Sequence, residues 1–150
     1  MEIRYRKLTL KDLDTFIDIR IKQLTEEGTT SPLDLKPDLY RYFEKHLVDG
    51  TFVSYVALDG DKIIGTSGMS FVEKPPYFSN PSGKIGLISS MYTNPNYRRM
   101  GIAKVLLDKV VTAAKEYGCG TVWVTASEMG TYLYKDYGFG TSDRFLIYNL

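Results

Sequence analysis

Cysteine and histidine each occur once in the 150 residues, as Cys119 and His46. A lone thiol excludes an internal disulfide and suits a reducing compartment. One Cys and one His are too few for a zinc site or a Cys–His nucleophile pair. Long apolar runs are also missing. None approaches the roughly 20 residues of a membrane-spanning helix, and the N-terminus lacks the apolar stretch of a signal peptide. A cytoplasmic location with no membrane partner is therefore expected. Nor is there an excess of one charge. The net charge of +1 gives no global pull toward nucleic acid, so any anion site must be local. His46 falls at the end of a helix-like run, where a cation suits the dipole, and reads as structural. Cys119 reads as structural and Trp123 as core.

What is present is ordinary globular material, 43% hydrophobic and 25% charged. Residues 1–150 have the size of one domain with a real core. Twelve tyrosines suggest clefts or interfaces that need large side chains with a polar tip. Glu2 to Lys7 alternates as an edge strand does. Thr9 and Asp12 precede a helix carried by Leu13, Phe16, Ile17, Arg20, Ile21 and Leu24. Glu26 to Pro32 is rich in turn residues, and a second helix spans roughly Pro37 to Val48. Thr51–Leu58 and Lys62–Glu73 read as strands joined by a hairpin at Asp59-Gly60. A Pro-rich loop from Lys74 to Gly83 leads to a strand ending at Thr93. A helix ends at Gly118, and Thr121–Thr125 is a further strand. A short helix runs from about Ser127 to Tyr137, and closing strands are expected after Phe139 and over Arg144–Asn149. This order implies an α/β chain, a mixed sheet with helices on both faces.

The most informative stretch is Tyr97-Arg98-Arg99-Met100-Gly101-Ile102-Ala103-Lys104. Asn94-Pro95-Asn96 breaks the strand before it, because Pro lacks the N–H a ladder needs. After it, Ile102, Val105, Leu106, Val110, Ala113 and Tyr117 form one helical face. A basic loop with one glycine thus opens a helix directly after a strand. The first N–H groups of a helix lack internal partners, and the dipole there favours an anion. Gly101 removes the Cβ that would block close approach, and Arg98 and Arg99 can add charge-assisted bonds. The same residues also suit a solvated basic turn.

About thirty residues on stands Leu133-Tyr134-Lys135-Asp136-Tyr137-Gly138-Phe139. Together the two stretches resemble the GNAT superfamily of N-acetyltransferases. Arg98-x-x-Gly101-x-Ala103 is similar to that family's acetyl-CoA loop, and the second stretch to its Leu-Tyr-x-x-x-Gly-Phe signature. The resemblance is specific from about Ile85 to Phe139 and rests on element order before that. It implies a GNAT-type acyl-CoA N-acyltransferase fold: a mostly antiparallel sheet with a splayed central parallel pair, here the strands ending near Thr93 and Thr125.

The resemblance implies acetyl-CoA as co-substrate, an amine as acceptor, and no metal. Main-chain groups of Arg99, Met100, Gly101, Ile102, Ala103 and Lys104 would hold the pyrophosphate, helped by the Arg98 and Arg99 side chains. Met91, Tyr92 and Thr93 would offer backbone groups to the pantetheine arm, and Ser127 a hydroxyl. Tyr134 would protonate the leaving thiolate; an ordinary tyrosine, with a pKa of about 10, is a proton donor at neutral pH. Two positions depart from the family pattern. Ser127 and Gly130 stand where many members have Asn and Ala. Ser89 and Ser90 stand where many have an acidic residue that deprotonates the amine, and a Ser cannot act as a base unaided. Deprotonation then falls to ordered water or to a carboxylate such as Glu26, Glu73 or Glu128. Glu26, Glu27 and Glu73, with the aromatic faces of Tyr77 and Phe78, are expected to line the acceptor mouth and to draw a cationic amine. The expected function is direct acetyl transfer to a primary amine. The alternative is a non-catalytic acyl-CoA-binding sensor on the same fold, and a homodimer is open under either.

Overall fold

A computed structural model describes residues 2–28, 31–128 and 130–150. Its order is β1 (Ile3–Lys7), α1 (Leu13–Glu26), α2 (Lys36–Asp49), β2 (Phe52–Val53), β3 (Tyr55–Asp59), β4 (Lys62–Glu73), β5 (Lys84–Thr93), α3 (Ile102–Tyr117), β6 (Thr121–Trp123) and α4 (Thr131–Tyr137). The strands form one sheet in the order β1-β3-β4-β5-β6, with β2 also on β4. Every pairing is antiparallel except β5 with β6. This is the expected α/β arrangement. No helix among the described residues is long and apolar enough to cross a membrane.

Each helix buries its apolar stripe against one face of the sheet. Phe16 and Ile17 of α1 and Phe43 of α2 pack with Phe52 and Val56. Leu107, Val110, Val111 and Ala114 of α3 pack with Met69, Phe71 and Ile88. Gly50 and Gly118 end α2 and α3 in the left-handed conformation, which costs glycine little. Before α1, the Asp12 carboxylate accepts from Thr9 N at 2.9 Å and Oγ1 at 3.0 Å.

Four expectations are corrected. The strand expected over Thr51–Leu58 is two strands, parted at Ser54, whose carbonyl accepts from Leu8 N at 2.9 Å. The closing strands over Phe139 and Arg144–Asn149 are not formed among the described residues. The chain from Gly140 to Leu150 is exposed throughout and pairs with no strand. In consequence the parallel pair is not central, for β6 is the edge of the sheet. Trp123, expected in the core, lies on that edge 37% exposed.

The β5–β6 ladder is short. It runs from Ile85↔Thr121 to Leu87↔Trp123 and stops. From Ile88 to Thr93, β5 is paired only on the β4 side. The register with β4 shifts between Thr66 and Gly68, and opposite that shift Ser90 sits at φ 58°. Thr66 Oγ1 donates to the Ser90 carbonyl at 2.6 Å and holds the irregularity in place. Bulges of this kind re-aim side chains, and a non-glycine residue at positive φ marks a locally constrained backbone.

Candidate active site

Where β5 loses its second partner, its outer main-chain groups face no strand. An extended chain of alternating donors and acceptors fits such an edge as an added strand would. The strand then leads through Asn94 and a short 3-10 turn (Pro95–Tyr97) into the basic loop. Asn94 accepts from Asn96 N at 3.0 Å. The Tyr97 hydroxyl donates to Asp59 at 2.5 Å and ties the loop to the β3–β4 hairpin. Arg99 (φ 64°) and Gly101 (φ 80°) are both left-handed. Gly101 is the N-cap of α3, and the first helical carbonyl bond is Val105 N to Gly101 O at 3.2 Å. A turn with left-handed residues that opens a helix gathers main-chain N–H groups into an anion-binding concavity. A Cβ on Gly101 would meet nothing within 4 Å, so its left-handed φ is what calls for glycine there.

The side chains of the loop divide. Arg98 folds back over β5. Its Nε donates to Thr93 O at 3.0 Å, its guanidinium stands 5.9 Å from the Tyr92 ring centroid, and it lies 3.9 Å from Glu26. Arg99 and Met100 are exposed, and Ile102 is buried in the core while its backbone belongs to the turn. Ala103 is half-buried. Lys104 is exposed, with Asp136 at 4.0 Å.

The C-terminal end of α1 meets β5 through a residue that the sequence did not single out. Gln23 is buried. Its amide nitrogen donates to Met91 O at 2.9 Å and lies 3.3 Å from Glu27 Oε1, while its oxygen accepts from Arg20 at 3.0 Å. A polar residue on the mostly apolar inner face of an amphipathic helix was the available signal. Burial pulls the Arg20 guanidinium below its ordinary value, and Glu27 opposes that pull.

Tyr134, in the first turns of α4, is buried in the cluster against which Met91 packs. Burial first, and the negative Glu27 second, push its hydroxyl up to about 12. The Tyr134 ring is 5.5 Å from that of Phe139. Gly130 lies against that ring, since a Cβ there would come within 3.3 Å of it. The short helix starts at Thr131 rather than Ser127 because Ser127 caps the turn before it. Ser127 Oγ accepts from Gly130 N at 3.1 Å, and its carbonyl accepts from Thr131 N at 3.1 Å.

The structure thus gathers Glu26, Glu27, Met91, Tyr92, Arg98 and Tyr134 around the unpaired stretch of β5. It does not bring Glu73, Tyr77 and Phe78 there. Glu73 is opposite Lys84, whereas Gly65 is opposite Thr93. Those three residues stand at the far end of β5, a ten-residue strand that spans about 30 Å at about 3.3 Å per residue. Thr29 and Thr30, in the turn expected at the acceptor mouth, lie outside the described residues.

The acetyltransferase (GNAT) family model matches residues 13–139. A crystal structure of a predicted acetyltransferase with acetyl-CoA from Clostridium acetobutylicum is 36% identical. The match covers 99% of this chain and 96% of that one, with a TM-score of 0.95. A GCN5-related N-acetyltransferase from Ralstonia eutropha is 24% identical, with 99% of each chain covered and a TM-score of 0.86. An aminoglycoside N-acetyltransferase in complex with CoA shares the fold at 19% identity and a TM-score of 0.77, with 99% of this chain and 95% of that one covered. The interrupted parallel pair, the glycine-opened helix and the buried tyrosine therefore occur in a chain that belongs to the GNAT family of acetyltransferases.

Proposed function

We propose that the protein transfers an acetyl group from acetyl-CoA to a primary amine by direct attack. The observation that carries this reading is the buried Tyr134 hydroxyl, pushed up to about 12 by burial and by Glu27, beside the stretch of β5 that lacks a partner strand. Support for acetyl-CoA comes from the loop geometry and from the relative crystallised with that molecule. The backbone of residues 99–104 would hold its pyrophosphate. The outer edge of β5 around Met91 and Thr93 would hold its pantetheine arm, and a main-chain N–H there would stabilise the developing oxyanion.

The chain's own groups then complete the proton balance. Glu27 takes one proton from the ammonium, directly or through water; the neutral nitrogen then bonds to the carbonyl carbon and sheds its second proton to solvent. As the carbon–sulfur bond breaks, Tyr134 donates its proton to the departing sulfur and recovers one from solvent. Glu27 fits this role better than Glu73, which is at the far end of the sheet, and better than Glu26, which is drawn toward Arg98. Most of the acceleration on this route is proximity and electrostatics. Glu27 would also favour a cationic acceptor.

The test is acetyl-CoA turnover across amine classes, with Tyr134→Phe and Glu27→Gln beside the parent chain. Tyr134→Phe should lower kcat by about 10²–10⁴-fold and leave acetyl-CoA binding nearly unchanged. Glu27→Gln should raise the amine KM and lower kcat. Binding of acetyl-CoA without turnover on any amine would favour the sensor alternative, to which Ser89 and Ser90 in place of an acidic residue also point.

A further inference from the structure

Arg20, Gln23 and Glu27 recur at helical spacing, so α1 and its C-cap carry one polar edge. Gln23 holds the three together. Its amide oxygen accepts from Arg20 at 3.0 Å, and its nitrogen donates to Met91 O at 2.9 Å and lies 3.3 Å from Glu27 Oε1. An amide is asymmetric, with acceptors at one end and donors at the other. Seated this way, Gln23 sets a cation on its oxygen side and an anion on its nitrogen side, next to the unpaired stretch of β5.

The Arg20 guanidinium has donors without partners. It carries several N–H groups, yet among the described residues it bonds only to Gln23, and no carboxylate pairs with it. The residue is half-buried, and burial works against its charge. A half-buried cation with a single neutral partner is costly until an anion completes it. Arg98, by contrast, is already committed to Thr93 O and Glu26. On either side of Met91, Ser90 Oγ and Tyr92 Oη are buried with no hydrogen-bond partner among the described residues. Buried polar groups call for partners, so this stretch suits a polar ligand.

We propose that the acceptor is a free α-amino acid, selected by Arg20 through its carboxylate while Glu27 draws its α-ammonium. The inference rests on the acetyl-transfer reading above and gives its amine a class. Charge decides for a carboxylate. One guanidinium matches one monoanion in fork geometry, whereas a phosphate dianion would leave excess negative charge beside Glu27. Spacing decides for the α-amine. Only the Gln23 amide separates Arg20 from Glu27, so the two charges of the acceptor must be near neighbours. A peptide N-terminus would set a neutral amide where the carboxylate belongs and leave Arg20 unpaired. The ammonium also meets the C-terminal end of α1, where the helix dipole favours a cation. Once deprotonated, the α-nitrogen takes the acetyl group and CoA leaves as its thiol. The product keeps its carboxylate but has no ammonium, so it loses its hold on Glu27 and is released.

The test is turnover of the full chain with acetyl-CoA and a panel of α-amino acids, each beside its methyl ester and its decarboxylated amine. Phosphoethanolamine and a short peptide complete the panel. The best amino acid should exceed its decarboxylated amine in kcat/KM by about 10–100-fold. Arg20→Gln should bring that ratio toward unity by raising the amino-acid KM, with the acetyl-CoA KM little changed. Arg20→Lys, which keeps the cation without the fork, should retain part of the ratio; it carries the test if circular dichroism shows Arg20→Gln to be unfolded. A purely structural Arg20 would slow both substrates alike and leave the ratio as it was, which would overturn the proposal. Turnover of amines with no preference for a carboxylate would overturn it while leaving acetyl transfer intact. So would a preference for phosphoethanolamine or for the peptide. Acetyl-CoA binding without turnover on any member of the panel would remove both readings together.

Discussion

Tyr134 and Gln23 show how single side chains set the chemistry here. Burial first and Glu27 second push the folded Tyr134 hydroxyl up to about 12, against about 10 for an ordinary tyrosine. The folded state thus holds this proton more tightly than the unfolded one. Its contribution to stability is complete below about pH 10 and is lost as pH rises toward about 12. Melting temperature followed from neutral to strongly alkaline pH should fall less steeply for Tyr134→Phe than for the parent; equal slopes would show that the hydroxyl is not buried in solution. Gln23 acts through others, fastening Met91 to α1 while touching Glu27. Gln23→Leu keeps the volume but leaves the Met91 carbonyl without its side-chain donor, a loss of about 1–3 kcal/mol if the group becomes unpaired. Urea unfolding should register that loss. Kinetics should show a higher amine KM with the acetyl-CoA KM little changed, whereas a purely packing role would leave both constants alone.

At the scale of elements, the Lys74–Gly83 loop is a clamp at the foot of β5. Asn80 is buried. It donates to Lys84 O at 3.0 Å and accepts from Ser82 at 3.0 Å, while Gly120 N also reaches Lys84 O at 3.0 Å. A Cβ on Gly120 would collide with the Asn80 amide, so loop, β5 and the start of β6 are locked at one point. Asn80→Ala removes two hydrogen bonds and should cost about 1–3 kcal/mol. Denaturant unfolding would show it as a shifted midpoint with constant slope, and a silent variant would mean that the loop is not needed to seat β6. The sequence spoke clearly wherever apolar period and punctuation agreed. Ile102 to Tyr117 with Gly118 behind it, and the Asp59-Gly60 hairpin, were legible for that reason. The glycine-opened helix and the Tyr134 signature were legible as local patterns. The distance from Glu73 and Phe78 to the unpaired part of β5 was not, because it depends on strand direction and register, which no local pattern carries. Gln23 was hidden by the apolar stripe it interrupts. The closing strands were expected because their residues favour extension, but propensity alone does not pair a strand, and residues 140–150 stay unpaired although β6 keeps an open edge.

For the whole molecule, the weak point is the boundary between β5 and β6. β4 and β5 are paired along nearly their full length, from Gly65↔Thr93 to Glu73↔Lys84. On the other side, three residue pairs join β5 to β6. With so few pairs, β6 is expected to open at a lower free energy than β3, β4 and β5. Native-state hydrogen exchange should find the amides of Thr121–Trp123 opening well before those of β3, β4 and β5. If all six strands exchanged at one rate, the sheet would be a single unit. A ligand arm laid along β5 between Ile88 and Thr93 would bridge both sides of this boundary, acting as mortar between two courses. Acetyl-CoA should then slow exchange in β6 more than in β3, so that the substrate completes the sheet on which it reacts.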